Sequence, residues 1–177
     1  SDGAVVDAGT GTITVSSHED ITLGGLTTTG SISLTSTTGK IIDGGDSHTD
    51  ITTIGQATIR TVTGMEAETQ VGVLDLFNSG VGDINISNAV ALDVVQLRQG
   101  SADQSISLSA AGALTIADNG STTSTVQVNG TGTLDLISTG ASSDLIFSSD
   151  IQAESGAITL SADRMAINST VTGTGNI

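Results

Sequence analysis

A five-residue phrase recurs along this chain: Gly, any residue, an aliphatic residue, a polar residue and a second aliphatic residue. Complete copies begin at Gly11, Gly30, Gly82, Gly112, Gly132 and Gly156, and a further copy begins as Gly175-Asn176-Ile177. Alternation over so few residues is typical of a short strand with one buried face and is too brief for a helix. Because such a strand cannot bury its apolar face alone, the phrase predicts strands that stack on one another.

The distances between phrases predict the size of the repeating unit. Intervals of 19 to 22 residues separate Ile13 from Ile32, Ile84 from Ile106, Ile106 from Val126, Leu114 from Leu134 and Ile158 from Ile177. If each turn of the chain coils back above the previous one, equivalent strands pair in parallel, with right-handed crossovers. We therefore predict an all-β fold, a right-handed parallel β-helix (β-solenoid) with about 20 residues per coil.

The apolar composition fits a solenoid better than the other all-β fold that we considered, a β-sandwich. The chain has no Trp, no Tyr, no Pro and only two aromatic residues, Phe77 and Phe147, whereas Gly occurs 23 times. Small and branched aliphatic side chains stack well on a pleated surface, and Gly permits the sharp corners of a coil. A sandwich built from the same turns would be expected to show longer strands and more aromatic core residues.

Charge and cysteine content exclude several classes of function. The formal net charge is -15, and the only cations are Lys40, Arg60, Arg98 and Arg164. Such a surface repels nucleic acid and anionic lipid, so we predict neither as a partner. No apolar run approaches the roughly 18 residues needed to span a bilayer, so membrane insertion is not expected. The absence of Cys rules out disulfides and thiolate metal sites.

Two stretches depart from the regular phrase. We predict one solenoid segment over residues 1–177 with an irregular coil or insertion near 61–76. Within it, Met65 to Gln70 contains helix-forming residues after a Gly, which favours one helical turn or an enlarged corner loop over a protrusion that contacts a partner. The second lengthening covers Gln96 to Gln104, where Leu97 to Gln99 is expected to extend a strand.

No catalytic, cofactor-binding or metal-binding residue is predicted, and the chain is not expected to be an enzyme. Cleavage of sugars, the usual chemistry of β-helix enzymes, needs paired carboxylates or a base with cations, and it commonly uses aromatic platforms. Asp75, Asp93 and Asp135 occupy polar strand positions whose spacings do not ensure alignment, and the cations look scattered. His18 and His48 are expected at the surface or at corners.

Calcium and ice were considered as ligands. The acidic stretch Asp43 to Asp50 is the best calcium candidate, but its spacing departs from the nonapeptide calcium repeat, so we favour an acidic corner loop and predict no cofactor. Ice binding would need a uniform Thr face. The corresponding outward sites instead hold Ser33, Asp75, Asn85, Gln127 and Asp135.

Several runs resemble the repeats of very large secreted bacterial surface proteins, the filamentous-haemagglutinin-like and giant-adhesin type. The runs are residues 30–35, residues 156–163 and Asp43-Gly44-Gly45-Asp46. The resemblance implies a parallel β-helix, export to the cell exterior and a role as stalk, fibre or adhesive surface.

We therefore expect a structural, non-catalytic segment of a secreted or cell-surface protein. It would act as a fibre unit, stalk or adhesin spacer. Both ends of such a rod would expose unpaired backbone and apolar side chains, so we expect them to be covered by adjacent repeats or by copies of the same chain. The alternatives are an adhesin module that binds a host or matrix glycan or protein, and, less favoured, a carbohydrate-active enzyme.

Overall fold

Strands stacked in parallel make up almost the whole fold. The computed structural model describes residues 4–45, 48–141 and 143–176. It has 19 strands: β1 Val5–Asp7, β2 Ile13–Ser17, β3 Ile21–Leu23, β4 Gly25–Thr28, β5 Ile32–Ser36, β6 Ile41–Asp43, β7 Ile51–Thr61, β8 Met65–Asn78, β9 Ile84–Asn88, β10 Leu92–Ala102, β11 Ile106–Ala111, β12 Leu114–Ile116, β13 Val126–Asn129, β14 Leu134–Thr139, β15 Asp144–Phe147, β16 Ile151–Ala153, β17 Ile158–Ser161, β18 Arg164–Ile167 and β19 Val171–Gly173. The described residues include no helix, and so none that could cross a membrane.

The prediction of a parallel β-solenoid is confirmed. The strands form about eight turns with about 21 residues per coil. They stack in three columns, which we call face 1 (β1, β4, β12, β15, β18), face 2 (β2, β5, β13, β16, β19) and face 3 (β3, β6, β9, β11, β14, β17). The longer strands β7, β8 and β10 run around corners and contribute to more than one face.

The recurring phrase marks the start of a strand rather than one fixed position in the coil. The copy at Gly30 opens a strand of face 2, the copy at Gly82 one of face 3 and the copy at Gly112 one of face 1. Close stacking explains the glycine. A Cβ atom on Gly30 would lie 2.5 Å from the carbonyl oxygen of Gly11 in the preceding coil, which no larger residue could tolerate without moving the backbone.

Individual coils differ in length more than the phrase spacing predicted. Ile106 pairs with Leu134 and not with Val126, and Leu114 pairs with Leu145 rather than with Leu134. The coil is longer there because residues 117–125 form an irregular connection between β12 and β13. The mean repeat was therefore predicted well, whereas these two intervals were wrong.

Aliphatic side chains form ladders through the interior. One ladder on face 3 consists of Ile21, Ile41, Met65, Ile84, Ile106, Leu134 and Ile158, all buried. Phe147 on face 1 is fully buried, between Ile116 and Ile167 in register. Because each side chain stacks on its counterpart in the next coil, the core is continuous along the axis and needs few aromatic residues.

A column of buried polar side chains lines the corner between faces 2 and 3, and we call it the corner column. It consists of Ser36, Thr61, Asn78 and Gln99, each at most 2% exposed. Asn78 is its centre: Nδ2 donates to the Gly82 carbonyl oxygen (2.8 Å) and to Gln99 Oε1 (2.9 Å). These side chains satisfy backbone groups that the turns leave without ladder partners.

The prediction of one helical turn or an enlarged corner loop at Met65 to Gln70 was wrong. These residues begin β8, in which Met65, Ala67, Thr69 and Val71 point inward and are buried. The predicted extension of a strand through Leu97 to Gln99 is confirmed, since all three residues lie in β10. Ser1 to Gly3, Asp46, Ser47, Ser142 and Ile177 lie outside the described residues. The predictions for the last phrase and for part of the Asp43 to Asp50 stretch fall there.

Candidate functional site

One row of outward side chains on face 2 contains two of the four cations of the chain and one of its two phenylalanines. Parallel pairing places Arg60 beside Phe77, and Phe77 beside Arg98. We call the complete register line the Arg–Phe row: Ser16, Thr35, Arg60, Phe77, Arg98, Gln127, Gln152 and Thr172. Neighbouring strands lie about 4.8 Å apart, so the row follows the solenoid axis.

Arg60 is held by an ion pair with Asp75. Its Nη1 lies 2.8 Å from Asp75 Oδ1, and its Nη2 donates to Asp75 Oδ2 at 3.0 Å. The two side chains are 37% and 19% exposed. Nη1 also donates to the backbone carbonyl oxygens of Ile59 (2.9 Å) and Asp75 (3.1 Å). These contacts fix the guanidinium against the sheet and neutralise its charge.

Arg98 is placed differently, because none of the described carboxylates pairs with it. Its Nη2 donates to Gln127 Oε1. The amide of Gln127 is itself oriented, since its Nε2 donates to Asn129 Oδ1 at 2.9 Å. The Nε atom of Arg98 is buried and makes no hydrogen bond within the described structure. Arg98 therefore presents a positive charge that this protein surface does not neutralise.

The outward side of face 2 differs in charge from the rest of the chain. Counting β10 from Gln96 onward, its described outward strand positions hold two arginines and one aspartate, Asp75, giving a formal charge of +1; Asp93, in register with Val73, lies at the boundary with face 1. The whole chain carries -15. Face 3 bears acidic residues such as Glu66 and Glu68 in its outward positions. The Arg–Phe row is thus a local positive region on a strongly acidic protein, which attracts anions at short range.

Two β-bulges precede the row. The pairing register shifts between Thr53 and Gln56 in β7, and again between Val94 and Gln96 in β10. Bulges re-aim the side chains that follow them and are common next to binding sites. The second bulge places Gln96 beside Asp75 on the outer surface. The Gln96 side chain makes no hydrogen bond to another described residue, so its amide is free to meet a ligand.

A groove of about 540 Å³ runs across several coils at the corner between faces 1 and 2. Threonines from successive coils line it, together with Gln70 and Ile54. Ile54 is 79% exposed in the bulge of β7. The hydroxyls of Thr28 and Thr53 are used inside the turns, where they accept hydrogen bonds from Gly30 N and Gly55 N at 2.9 Å. The groove therefore presents mostly apolar surface.

The three candidate aspartates are not gathered at one site. Asp93 in β10 is in register with Thr115 on face 1 and with Val73, two residues before Asp75 in the adjacent strand β8. Asp135 lies apart from both, in register with Ser107 on face 3. No group of three or more metal-binding side chains occurs in the part of the chain that the structure describes.

The two histidines lie where they were expected. His18 and His48 are both exposed and lie in corner connections outside the strands. The Nδ1 atom of His18 is 3.1 Å from Thr37 Oγ1 in the next coil. Of the acidic Asp43 to Asp50 stretch, Asp43 accepts a hydrogen bond from Gly45 N at 2.8 Å, which is a turn contact.

The sequence-based view that the cations are scattered was wrong for Arg60 and Arg98, which lie on either side of Phe77 in register. The sequence did contain a signal for their alignment. Each of the three residues directly follows an inward aliphatic residue, namely Ile59, Leu76 and Leu97, which are themselves paired in one ladder. Comparing the residue after the last aliphatic position of successive face 2 strands would have identified the row.

The fold defines the class of protein as a parallel β-solenoid. No protein-family model, curated protein or solved structure matches the chain. The similarity to filamentous-haemagglutinin-like repeats thus depends on the sequence pattern alone.

Proposed function

We propose that this chain is a rigid, non-catalytic structural segment, a fibre unit, stalk or spacer in a secreted or cell-surface protein of the filamentous-haemagglutinin-like type. The observation that carries the proposal is the uninterrupted core. Aliphatic ladders continue through about eight turns, which gives a rod about 40 Å long. Catalysis is not part of the proposal, because Asp75 is held in an ion pair with Arg60 and Asp135 lies on face 3, apart from Asp75 and Asp93.

The terminal coils support end-to-end stacking. Val6 is in register with the buried Leu26, yet it is 55% exposed. At the other end, Met165 and Ile167 continue the ladders of Leu145 and Phe147 but are 44% and 51% exposed. An inward position that remains exposed on a strand edge favours addition of another coil. We propose that further repeats or a second copy of the chain occupy these edges.

Sedimentation analysis and electron microscopy of the purified chain test the stacking. We expect concentration-dependent association into short rods whose width stays constant while their length increases. The double variant Met165→Glu/Ile167→Glu should abolish this association, because it buries two charges at the joint. The matched control Ser33→Glu/Ser109→Glu adds the same charge at outward positions of faces 2 and 3 that have no carboxylate in register, and it should still associate. A wild-type chain that remains monomeric up to its solubility limit would refute stacking.

The second candidate function is a glycan- or protein-binding adhesin module. The specific observation in its favour is the Arg–Phe row, a charged and aromatic surface that a passive spacer does not need. Binding assays on immobilised glycans and on cell surfaces test it. A spacer role and a binding role are compatible, because the core ladders carry the first and outward side chains of face 2 carry the second.

A further inference from the structure

We propose that the Arg–Phe row binds a glycan through a carboxylate-bearing sugar, with the carboxylate on Arg98 and a sugar ring on Phe77. This inference rests on the binding-module proposal and names its ligand class. Three observations carry it: an arginine without a carboxylate partner, a half-buried aromatic ring beside it in register, and neighbouring amides that are free or held by Arg98 itself.

Arg98 selects for an anion. A guanidinium stays charged at every physiological pH and forms paired hydrogen bonds with a carboxylate. Arg60 already has such a partner in Asp75, whereas Arg98 has only the neutral oxygen of Gln127. A ligand carboxylate on the outward edge of Arg98 would reproduce the pair that Arg60 makes one strand beyond Phe77. One isolated carboxylate also suits a chain of charge -15, which repels densely charged polyanions.

Phe77 supplies the surface on which a sugar ring can lie. Its side chain is outward and half-buried, so a ring edge or face remains accessible between two arginines. The other phenylalanine, Phe147, is completely buried and serves the core. The C–H groups of a pyranose pack against an aromatic ring, and this contact buries apolar surface of both partners.

The amide side chains in the row and beside it can hydrogen-bond to the hydroxyl groups of a sugar. Gln96 and Gln152 make no hydrogen bonds to other described residues, and both lie outward on face 2. An amide both donates and accepts, as does a sugar hydroxyl. Arg98 and Asn129 hold Gln127 between them, so that amide is pre-oriented. These amides recur from coil to coil along the axis, just as hydroxyl groups recur from sugar to sugar along a glycan.

An extended peptide fits this surface less well than a glycan. Peptides that bind β-structure commonly add a strand at a sheet edge and use its free backbone groups. The middle of face 2 has no such edge, because β8 pairs with β7 on one side and with β10 on the other. The row can offer only side chains, and an extended peptide would leave many of its own N–H and C=O groups without protein partners.

A glycan array that contains sialic-acid and hexuronate oligosaccharides, each beside its methyl ester, tests the proposal directly. We expect binding to acids and at least tenfold weaker binding to the esters, which keep the sugar skeleton but lose the charge. Arg98→Gln should weaken binding by about tenfold or more, because it removes a charge-assisted pair. Phe77→Leu should weaken it several-fold, and Arg98→Lys should restore part of the loss. Arg164→Gln removes the same charge from face 1 and should bind as the parent does.

The possible outcomes distinguish failure of the carboxylate assignment from failure of the binding-module proposal. Equal binding of acids and esters, with no effect of Arg98→Gln, would overturn the carboxylate assignment and leave a neutral-glycan module. Binding that neither Arg98→Gln nor Phe77→Leu changes would place the site elsewhere. Complete absence of glycan binding would overturn the glycan proposal and leave only a protein-binding form of the module, and displacement of a bound glycan by a Glu-rich peptide of equal affinity would favour a protein partner. Circular dichroism and thermal melts of each variant establish that the solenoid is intact.

Discussion

We predict that Asn78, at the centre of the corner column, contributes strongly to the stability of the solenoid. Asn78 is fully buried, and its Nδ2 donates to the carbonyl oxygens of Gly80 and Gly82 and to Gln99 Oε1. Its Oδ1 accepts from Gly64 N at 3.1 Å. Asn78→Ala removes all of these bonds and leaves backbone groups of two coils without partners. About three net hydrogen bonds at roughly 1 kcal/mol each predict a loss of about 3 kcal/mol in the free energy of unfolding.

Urea unfolding followed by circular dichroism measures this loss. The midpoint should fall for Asn78→Ala while the slope of the transition stays unchanged, which indicates the same folded and unfolded states. The control is Asn85→Ala, seven residues later on the exposed side of face 3, where no hydrogen bond to a described residue is made. It should change stability by no more than about 0.5 kcal/mol. Equal losses in the two variants would refute the structural role of the corner column.

A double-mutant cycle examines whether the column acts as a unit. Gln99 is 1% exposed and donates to the carbonyl oxygens of Gly82 and Ser105 at 3.0 and 3.2 Å. Because Asn78 and Gln99 share a hydrogen bond and the acceptor Gly82, the double variant should lose less than the sum of the single losses, by about 1 kcal/mol. Strict additivity would mean that the two side chains stabilise their turns independently.

Three further predictions concern stacking, core packing and titration. Gly156→Ala would place a Cβ atom 1.7 Å from a carbonyl oxygen of the preceding coil, so limited proteolysis should detect opening of the last coils; a protease-resistant variant would contradict this. Phe147→Ala should cost about 3–5 kcal/mol in urea unfolding, whereas the half-buried Phe77→Ala should cost clearly less, and equal costs would contradict the assignment of the two rings. Hydrogen bonds from the backbone and the hydroxyl of Thr131 lower the pKa of Asp103, so this stabilisation is present above the ordinary value of 3.8 and is lost as the pH falls through the lowered pKa. In a carbon NMR titration, Thr131→Val should move the Asp103 pKa part of the way back toward 3.8, and an unchanged pKa would contradict the role of the hydroxyl.

The sequence predicted the architecture because the same local rule applies in nearly every strand. Where the intrinsic preference of the residues favoured a helix and the alternation of apolar and polar positions favoured a strand, a strand formed. Glu66 and Glu68 favour a helix by intrinsic preference, but they alternate with Met65, Ala67 and Thr69, which are buried. Parallel pairing on both sides of β8 outweighs the weak helix preference of these residues.

Coil boundaries were harder to predict because they depend on connections that have no repeating pattern. Residues 117–125 link faces 1 and 2 where other coils need only a few residues, as between Phe147 and Ile151. Their Ser, Thr, Asn and Gly content predicts a loop but does not fix its length along the coil. A phrase spacing of 20 across this loop therefore matched Leu114 with Leu134, although the two lie on different faces.

The Arg–Phe row was missed for a related reason: it exists only through register. Arg60, Phe77 and Arg98 are 17 and 21 residues apart, so no fixed period brings them together. Their alignment needs a short coil, a bulge before Gln56 in β7 and another before Gln96 in β10. Outward positions also carry little packing information, since the core does not constrain which residue stands there. The inward ladder beneath the row could be predicted from the apolar alternation alone, whereas the outward row can be found only after the strands of face 2 have been assigned.

Register also explains how a solenoid of charge -15 remains stacked. Two carboxylates in neighbouring strands would lie about 4.8 Å apart and repel by roughly 0.9 kcal/mol even in water. Across the described strand pairs, no carboxylate is in register with another, and Asp144 is in register with Arg164.

The same rule applies to the cations. Arg60 and Arg98 are two strands apart, with Phe77 between them. At about 9.6 Å their repulsion falls to roughly 0.4 kcal/mol before salt screening. Phe77 thus separates the two charges and leaves an apolar surface between them. A small polar residue at this position would separate the arginines equally well, so the ring contributes something that charge spacing alone does not require. The presence of an aromatic ring at this position therefore supports the assignment of a ligand to the row.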